Sequence, residues 1–561
     1  MLFRSELRSE LLRLNSAEIL LPEFLKIPNE LPGHITQYPN WHFEPLRCEE
    51  KLKNHFKVST LDAFGIKGLS LALQASGAII DYLSDTQPSA LKILNNISNY
   101  STSTFMTLDA ATRRNLELTE TLRKNEVKGS LLHILDFAVT VMGKRLLRQW
   151  VSQPLLDISE INLRQESVGY LKDNGLLRAE LFSQLKKIND LERLTSRVIS
   201  GHAIPRDLVA IRSTLQNLPD LLQILSKIES SSLKKNIDKV HACSEELRLL
   251  EFSIAEEPPA TLNTTGVIRI GYSSELDQII DASQHARDWI NQLENIERER
   301  TGIKTLKVGY NKVFGYYIEI TRANSASAPA EYIRKQTLVN AERFITPELK
   351  EYETLVLNAE DRIKDIEQRL FKQICEQLTT SSRRLLETSA GIAEIDVLSS
   401  FAEAASVGNY CQPELQDSQI LHIADGRHPV VEKSLEGKRF VSNDSIFEEG
   451  ELIRIITGPN MSGKSTFLRQ VALIVLMAQI GSFVPASEAT IGITDRIFTR
   501  IGAQDEIHAG QSTFMVEMIE TANILNHATP KSLLILDEIG RGTSTYDGVS
   551  IAWAVIEHIH N

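Results

Sequence analysis

The fold is decided by the stretch Gly458-Pro459-Asn460-Met461-Ser462-Gly463-Lys464-Ser465-Thr466, which fits the pattern G-x-x-x-x-G-K-[ST] of a phosphate-binding P-loop. The β-branched run Leu452–Ile456 before it predicts a buried strand, and Phe467–Ile474 after it predicts a helix. The alternative is a chance match to the motif in a glycine-containing loop. The predicted strand before it and helix after it argue against that alternative, because a P-loop requires both. The pattern therefore predicts backbone N–H groups that cradle phosphates, with Lys464 at the β- and γ-phosphates and Ser465 on Mg²⁺.

A second apolar run, Ser532–Leu536, ends in the adjacent carboxylates Asp537 and Glu538. An apolar strand followed by Asp is the Walker B arrangement, in which Asp537 orients the shell of Mg²⁺. Glu538 is then placed to polarise an attacking water. The alternative is a strand that ends at a surface acidic pair, and the P-loop upstream favours the Walker B interpretation.

Between these two motifs, the stretch Gly510–Met518 predicts the start of a helix with Ser512 as its N-cap. In a dimeric ATPase, an exposed serine at a helix start can also donate to the γ-phosphate of a partner subunit. The residues alone leave both interpretations open.

The composition indicates an ordinary soluble multidomain protein. The 561 residues suggest three or four domains, and 42% are hydrophobic and 24% charged. The four cysteines lie too far apart for a zinc site or a disulfide framework, which favours a reducing cytosol. No apolar run is long enough for a membrane span, and early charges argue against a signal peptide. Since the net charge is −12, a nucleic-acid site would have to be local.

The sequence pattern changes twice in the middle of the chain, from helical to β-rich and back to helical. Residues 107–255 are helical in pattern, whereas Thr305–Ile320 is β-rich with a hairpin turn near Asn311-Lys312. Pro347 then opens a stretch, Glu348–Leu386, that contains no Gly or Pro and predicts a helical rod of about 55–60 Å.

A local excess of positive charge coincides with the β-rich stretch. Residues 304–350 contain eight basic and four acidic side chains. This basic region is either a grip on a phosphate backbone or a solvated face. The candidate DNA contacts are Lys307, Lys312, Arg322, Arg334 and Lys335.

Three motifs together carry a resemblance to a known family: Thr457–Thr466, Ser512–Met518 and Leu536–Thr545. In this order and spelling they resemble the MutS family of DNA mismatch-repair ATPases. Further likenesses lie in Asp109–Leu118, Leu306–Ile320, residues 334–350 and Gly426–Val430, so the resemblance covers essentially the whole chain.

The resemblance implies a multidomain α plus α/β fold. Its parts would be a partial connector (1–104), a lever of long helices (105–287 and 347–405), a β-rich clamp inserted into that lever (288–346), and a truncated ABC-type P-loop ATPase domain (406–561).

The resemblance also implies ligands and partners. Phe440 and Val441 match positions that pack on adenine, Asn460 matches a contact to the γ-phosphate, and Ser512 matches a serine that acts across a dimer. With Lys464 and Glu538 these residues would serve Mg-dependent ATP hydrolysis. Double-stranded DNA, a second copy of the chain and downstream repair factors such as MutL are the implied partners. The implied location is the cytoplasm, at the nucleoid, with no membrane.

The chain departs from the family pattern at both ends. The family's mismatch-reading domain with its Phe-x-Glu wedge would precede Met1, and a switch histidine and dimerising helices would follow Asn561. The expectation is therefore a fragment. One alternative is a paralogue that binds DNA junctions or recombination intermediates without reading mismatches. Another is a chromosome-organising ABC ATPase, which would need a far longer coiled coil than this rod.

Overall fold

A computed structural model describes most of the chain. The described residues are 7, 10–11, 14, 16–25, 33–58, 60–61, 66, 68–88, 91, 94, 97, 104–311, 315–435, 439–447, 450–459, 462–501, 513–540 and 542–560. They form two compact units. Unit 1 comprises residues 1–192, 217–242 and 383–561, and unit 2 comprises residues 193–216 and 243–382.

Most of the described chain is helical. In chain order the helices are α1 Pro45–Phe56, α2 Ser70–Thr86, α3 Ala110–Asn115, α4 Leu131–Leu135, α5 Val141–Ser152, α6 Ile158–Asp173, α7 Gly175–Leu185, α8 Leu191–Ile199, α9 Pro205–Leu225, α10 Ser231–Ile237, α11 Ser244–Ser253, α12 Ser274–Thr301, α13 Pro347–Thr380, α14 Ser382–Gly408, α15 Pro429–Ser434, α16 Lys464–Gln479, α17 Thr513–His527 and α18 Thr545–His560. No helix of the described residues is both long and apolar enough to cross a membrane.

The strands form four small sheets. They are β1 Glu18–Pro22, β2 His34–Tyr38, β3 Thr107–Leu108, β4 Lys307–Asn311, β5 Gly315–Thr321, β6 Ile333–Thr337, β7 Ala341–Ile345, β8 Glu414–Gln416, β9 Leu421–Gly426, β10 Asn443–Ile446, β11 Glu488–Gly492, β12 Arg496–Arg500 and β13 Leu533–Leu536. Within the described residues the sheet orders are β1-β2, β10-β9-β11-β8, β13-β12-β3 and β4-β5-β7-β6.

The sheet of unit 2 is antiparallel and packs on two long helices. Ile318 and Ile320 of β5 lie in one buried cluster with Leu293 of α12 and Val356 of α13. Strands β4 and β5 form the predicted hairpin, whose turn residues 312–314 lie outside the described residues. Helix α12 continues through residue 288, at which the sequence placed the start of the clamp.

The predicted rod over Glu348–Leu386 is wrong as a single helix. Helix α13 ends at Thr380, and α14 begins at Ser382 after a turn at Ser381. The hydroxyl of Thr379 donates to the carbonyl of Cys375 at 2.8 Å, and that of Thr380 to Gln377 at 2.7 Å. Such side-chain bonds compete with the helical ladder, so a run of Thr and Ser interrupts a helix without Gly or Pro.

A buried carboxylate ties α14 to the start of α5 in unit 1. Asp396 is fully buried and accepts hydrogen bonds from the N–H groups of Val139 and Thr140 and from the hydroxyl of Thr140. Burial raises the pKa of Asp396, although these hydrogen bonds oppose the rise. A Cβ on Gly143 would lie 2.2 Å from Oδ2 of Asp396, so only glycine fits there.

Candidate functional site

The P-loop leads directly into α16. Gly463 has φ +95°, a left-handed conformation suited to glycine, and Lys464, Ser465 and Thr466 form the first turn of the helix. The Nζ atom of Lys464 donates to the carbonyl oxygens of Gly458 at 2.7 Å and Pro459 at 2.9 Å. The predicted helix after the P-loop is confirmed. Asn460 and Met461 lie outside the described residues.

The strand predicted before the P-loop is wrong. Leu452–Ile456 has no strand assignment, and Leu452, Ile455 and Ile456 are 58%, 71% and 37% exposed. Apolar β-branched residues favour a strand only when a neighbouring strand supplies hydrogen bonds and a packing surface. Within the described residues this segment pairs with no strand.

The predicted second strand is confirmed as β13, and it joins the two motifs. The hydroxyl of Ser465 donates to Oδ2 of Asp537 at 2.5 Å. Asp537 is 8% exposed, and its N–H donates to the carbonyl of Arg500 on the neighbouring strand β12 at 2.7 Å. The site therefore presents a hydroxyl and a carboxylate oxygen beside the helix N-terminus, the hard oxygen donors that suit Mg²⁺. The described residues hold no group of three His, Cys, Asp or Glu able to bind a metal.

The turn after β13 has a strained backbone. Glu538 is exposed and has φ +59°, which is uncommon for a residue other than glycine. Gly540 has φ +88°, and a Cβ there would lie 2.5 Å from the carbonyl oxygen of Gly548 in α18. Such strain persists only where the surroundings fix it, and it clusters at functional sites. Ser544 caps α18, since its hydroxyl accepts a hydrogen bond from the N–H of Asp547.

Helix α17 begins at Thr513, in agreement with the helix start predicted at Ser512. Ser512 itself lies outside the described residues. Sequence reasoning missed two buried residues of this region, Arg500 on β12 and Glu517 on α17. The available signal was a single acidic residue inside the apolar start of α17.

Phe440 and Val441, the predicted adenine contacts, lie just before β10. Phe440 is half-buried, whereas Val441 is exposed. Nearby, His428 accepts a hydrogen bond at its Nδ1 from the N–H of Val431 and so caps α15. Burial, with Arg469 close by, lowers the pKa of His428 to about 4, so its ring is neutral at pH 7.

The candidate DNA contacts lie on the antiparallel sheet of unit 2. Arg334 and Lys335 are exposed on the edge strand β6, and Lys307 is exposed on the opposite edge strand β4. Arg322 is exposed directly after β5, and its N–H donates to the carbonyl of Asn340 in the turn between β6 and β7. Lys312 lies outside the described residues.

Arg334 also has a protein partner. A guanidinium nitrogen of Arg334 lies 3.2 Å from the buried carboxylate of Glu342. The structure thus brings Arg334 and Lys335 together on one strand and places Lys307 at the other edge.

One strand from far upstream in the chain completes the parallel sheet beside this site. Strand β3 pairs with β12, so that Thr107 lies opposite Arg496. Behind β3, the amide of Asn115 donates to the carbonyl of Thr499, and the hydroxyl of Thr112 accepts from the N–H of Thr499. Thr107 and Leu108, at the start of the helical residues 107–255, therefore belong to the sheet that carries Asp537.

A P-loop, a strand ending in Asp537 and Glu538, and a helical region built into the same sheet define a P-loop protein with attached helical domains. Comparison with known families refines this class. Residues 2–98 match the family model described as MutS domain II, residues 111–402 match MutS domain III, and residues 454–561 match MutS domain V. The chain belongs to the MutS family.

Curated relatives agree with this assignment. The chain is 52% identical to the DNA mismatch repair protein MutS of Alkaliphilus oremlandii, over 95% of this chain and 61% of that protein. It is 50% identical to that of Alkaliphilus metalliredigens, over 93% of this chain and 59% of the relative. It is 47% identical to that of Ruminiclostridium cellulolyticum, over 100% of this chain and 65% of the relative. The chain thus spans about three fifths of the length of these relatives.

Proposed function

We propose that the chain is the core of a DNA mismatch-repair ATPase. It would bind duplex DNA through the sheet of unit 2 and hydrolyse ATP at a dimeric P-loop site. Nucleotide binding would switch the geometry of the helical lever. The name of the relatives, DNA mismatch repair protein MutS, supports this interpretation over a paralogue that binds junctions without reading mismatches.

The observation that carries the ATPase proposal is the hydrogen bond between Ser465 and Asp537. It joins two residues that are far apart in the sequence and that Mg-nucleotide chemistry requires side by side. Lys464, at the start of α16, would leave its two loop carbonyls for the β- and γ-phosphates. The N–H groups of the first turn of α16 would donate to the phosphate oxygens.

Ser465 and Asp537 would hold Mg²⁺, which when bound neutralises phosphate charge and orients the phosphates. Glu538 would accept the proton of the attacking water, since it is an exposed carboxylate directly after Asp537. Phe440 and Val441 would pack on adenine, Asn460 would contact the γ-phosphate, and Ser512 would act on the site of the partner subunit.

The DNA proposal rests on the exposed cations Lys307, Arg322, Arg334 and Lys335 of the unit 2 sheet, together with Lys312. Cations on strands and turns favour contacts to phosphates over base reading. A homodimer, downstream factors such as MutL and a location at the nucleoid complete the proposal. The domain limits 1–104, 105–287, 288–346, 347–405 and 406–561 remain part of it.

The test uses Glu538→Gln in the full-length gene product. ATP binding at equilibrium should stay within about threefold, while single-turnover hydrolysis should fall by about 10²–10⁴ because the general base is lost. Glu557→Gln is the matched control, since Glu557 is an exposed carboxylate of α18 that accepts a hydrogen bond from the indole N–H of Trp553. Hydrolysis at the wild-type rate in Glu538→Gln would remove Glu538 from the proposed role.

A further inference from the structure

A buried carboxylate connects α17 to the turn that carries Glu538. Glu517 is 2% exposed, and its Oε1 atom accepts a hydrogen bond from the N–H of Gly540, two residues after Glu538. A hydrogen bond to an ionised acceptor is stronger than one between neutral groups, and its loss inside a protein leaves a buried N–H without an acceptor.

Arg500 forms a long ion pair with Glu517. Arg500 is 5% exposed, and its guanidinium has one nitrogen 3.8 Å from Glu517 and Nε 3.2 Å from Glu520. The backbone carbonyl of the same residue accepts from the N–H of Asp537. One residue of β12 therefore accepts a hydrogen bond from Asp537 through its backbone and pairs with the charge of Glu517 through its side chain.

A second contact joins the first turn of α17 to the same loop. A Cβ on Gly542 would lie 2.8 Å from Cβ and 2.9 Å from Cα of Phe514, so the backbone at Gly542 packs directly on the helix start. The close packing of Gly540 against Gly548 also restricts how far the turn can move independently of α18. A displacement of the start of α17 must therefore move the turn that carries Glu538.

We infer that Glu517 is a positioning residue that makes Glu538 respond to the start of α17. The inference rests on the proposed function, in which Ser512, next to Thr513, meets the nucleotide of the partner subunit. Glu517 lies one helical turn beyond Thr513. An effect of the partner's nucleotide on the helix start would thus reach the water-activating carboxylate through one turn of helix and one hydrogen bond.

The first experiment compares Glu517→Ala, Glu517→Gln and Glu520→Ala in the full-length gene product, by ATP affinity, single-turnover hydrolysis and thermal unfolding. Glu517→Ala should bind ATP within about threefold of wild type and hydrolyse it about 10–100-fold more slowly, the effect of losing a hydrogen bond to a charged group. Glu517→Gln keeps an acceptor for Gly540 and should recover most of that loss. Glu520→Ala is the matched control because Glu520 also pairs with Arg500, and its hydrolysis should stay within about twofold. Equal losses in Glu517→Ala and Glu520→Ala, or no recovery in Glu517→Gln, would overturn the positioning role.

The second experiment tests the coupling to Ser512. Ser512→Ala should slow hydrolysis in the wild-type background, and the double variant with Glu517→Ala should lose less than the product of the two single losses, because the part of the effect of Ser512 that passes through Glu517 is already absent. Multiplicative losses would overturn the coupling. If Ser512→Ala and Glu538→Gln both hydrolyse ATP at the wild-type rate, the proposed function itself fails, and the role of Glu517 fails with it.

Discussion

The hydroxyl of Ser465 and the carboxylate of Asp537 form a 2.5 Å hydrogen bond that joins the P-loop helix to the end of β13. The bond brings together two oxygen ligands of the kind Mg²⁺ prefers, beside a helix N-terminus that favours anions. In the proposed function, a metal-nucleotide complex would therefore find two of its protein ligands already side by side.

Asp537→Asn should therefore uncouple nucleotide binding from Mg²⁺. We expect the gain in ADP affinity on adding Mg²⁺ to fall by about tenfold or more, or about 1.4 kcal/mol, while binding in EDTA changes little. Calorimetric titration with and without Mg²⁺ measures both. Asp547→Asn, which alters a carboxylate that accepts a hydrogen bond from the hydroxyl of Ser544, is the control and should keep the full gain. A full gain in Asp537→Asn would place the metal elsewhere.

The unit 2 sheet should bind duplex DNA with little sequence preference. Removing one phosphate contact, through Lys307→Ala, Arg322→Ala or Lys335→Ala, should lower the slope of log K against log salt by about one. Lys372→Ala removes an exposed lysine of α13 and should leave the slope unchanged. Fluorescence anisotropy of a labelled duplex at several salt concentrations measures the slope. An unchanged slope in all three variants would exclude this sheet as the DNA site.

Gly143→Ala should destabilise the joint between α5 and α14. The added Cβ would lie 2.2 Å from Oδ2 of Asp396, and overpacking of this kind costs about 1–3 kcal/mol. Gly175→Ala is the matched control, because a Cβ there meets no atom within 4 Å. The control should be neutral or stabilising by up to about 1 kcal/mol. Hydrogen exchange across Phe137–Ser152 measures the loss, and equal protection in both variants would contradict the packing argument.

The segment Tyr38–Thr86 should lose stability in acid when Asp81 is protonated. Burial alone would raise the pKa of Asp81, but bonds from Lys51, His42 and Arg47 lower it to about 2. Because the pKa is lowered on folding, Asp81 contributes fully to the free energy of unfolding above about pH 3.9, the pKa of Asp in the unfolded chain. This contribution is lost as the pH falls through about 2. Since Arg47 and Lys51 are partly exposed, solvent screens these ion pairs, and we expect Asp81 to contribute about 1–2 kcal/mol to the free energy of unfolding.

The measurement is hydrogen exchange over Tyr38–Thr86, corrected for intrinsic rates, in wild type and Asp81→Asn. The difference in protection should shrink as the pH falls from 5 to 2. Asp85→Asn, an exposed carboxylate of the same helix α2, should show no such trend. A difference that is constant with pH would show that Asp81 acts through packing and not through its charge.

The sequence by itself determined the elements whose signals are local. Gly463 before Lys464 specifies a P-loop turn into a helix, and the apolar run before Asp537 specifies β13. Ser544 and Asp109 cap the helices that follow them, as short polar side chains do in any context. These features depend on neighbours within a few residues, so the order of residues is sufficient to predict them.

Only the tertiary structure decided which neighbours those elements received. Leu452–Ile456 has the composition of a strand but no strand beside it among the described residues, whereas the two-residue β3 joins β12 from almost 400 positions away. The contact between Glu517 and Gly540 likewise has no local signal. Strand pairing and buried polar bonds depend on partners that the chain brings together only on folding, and composition does not encode those partners.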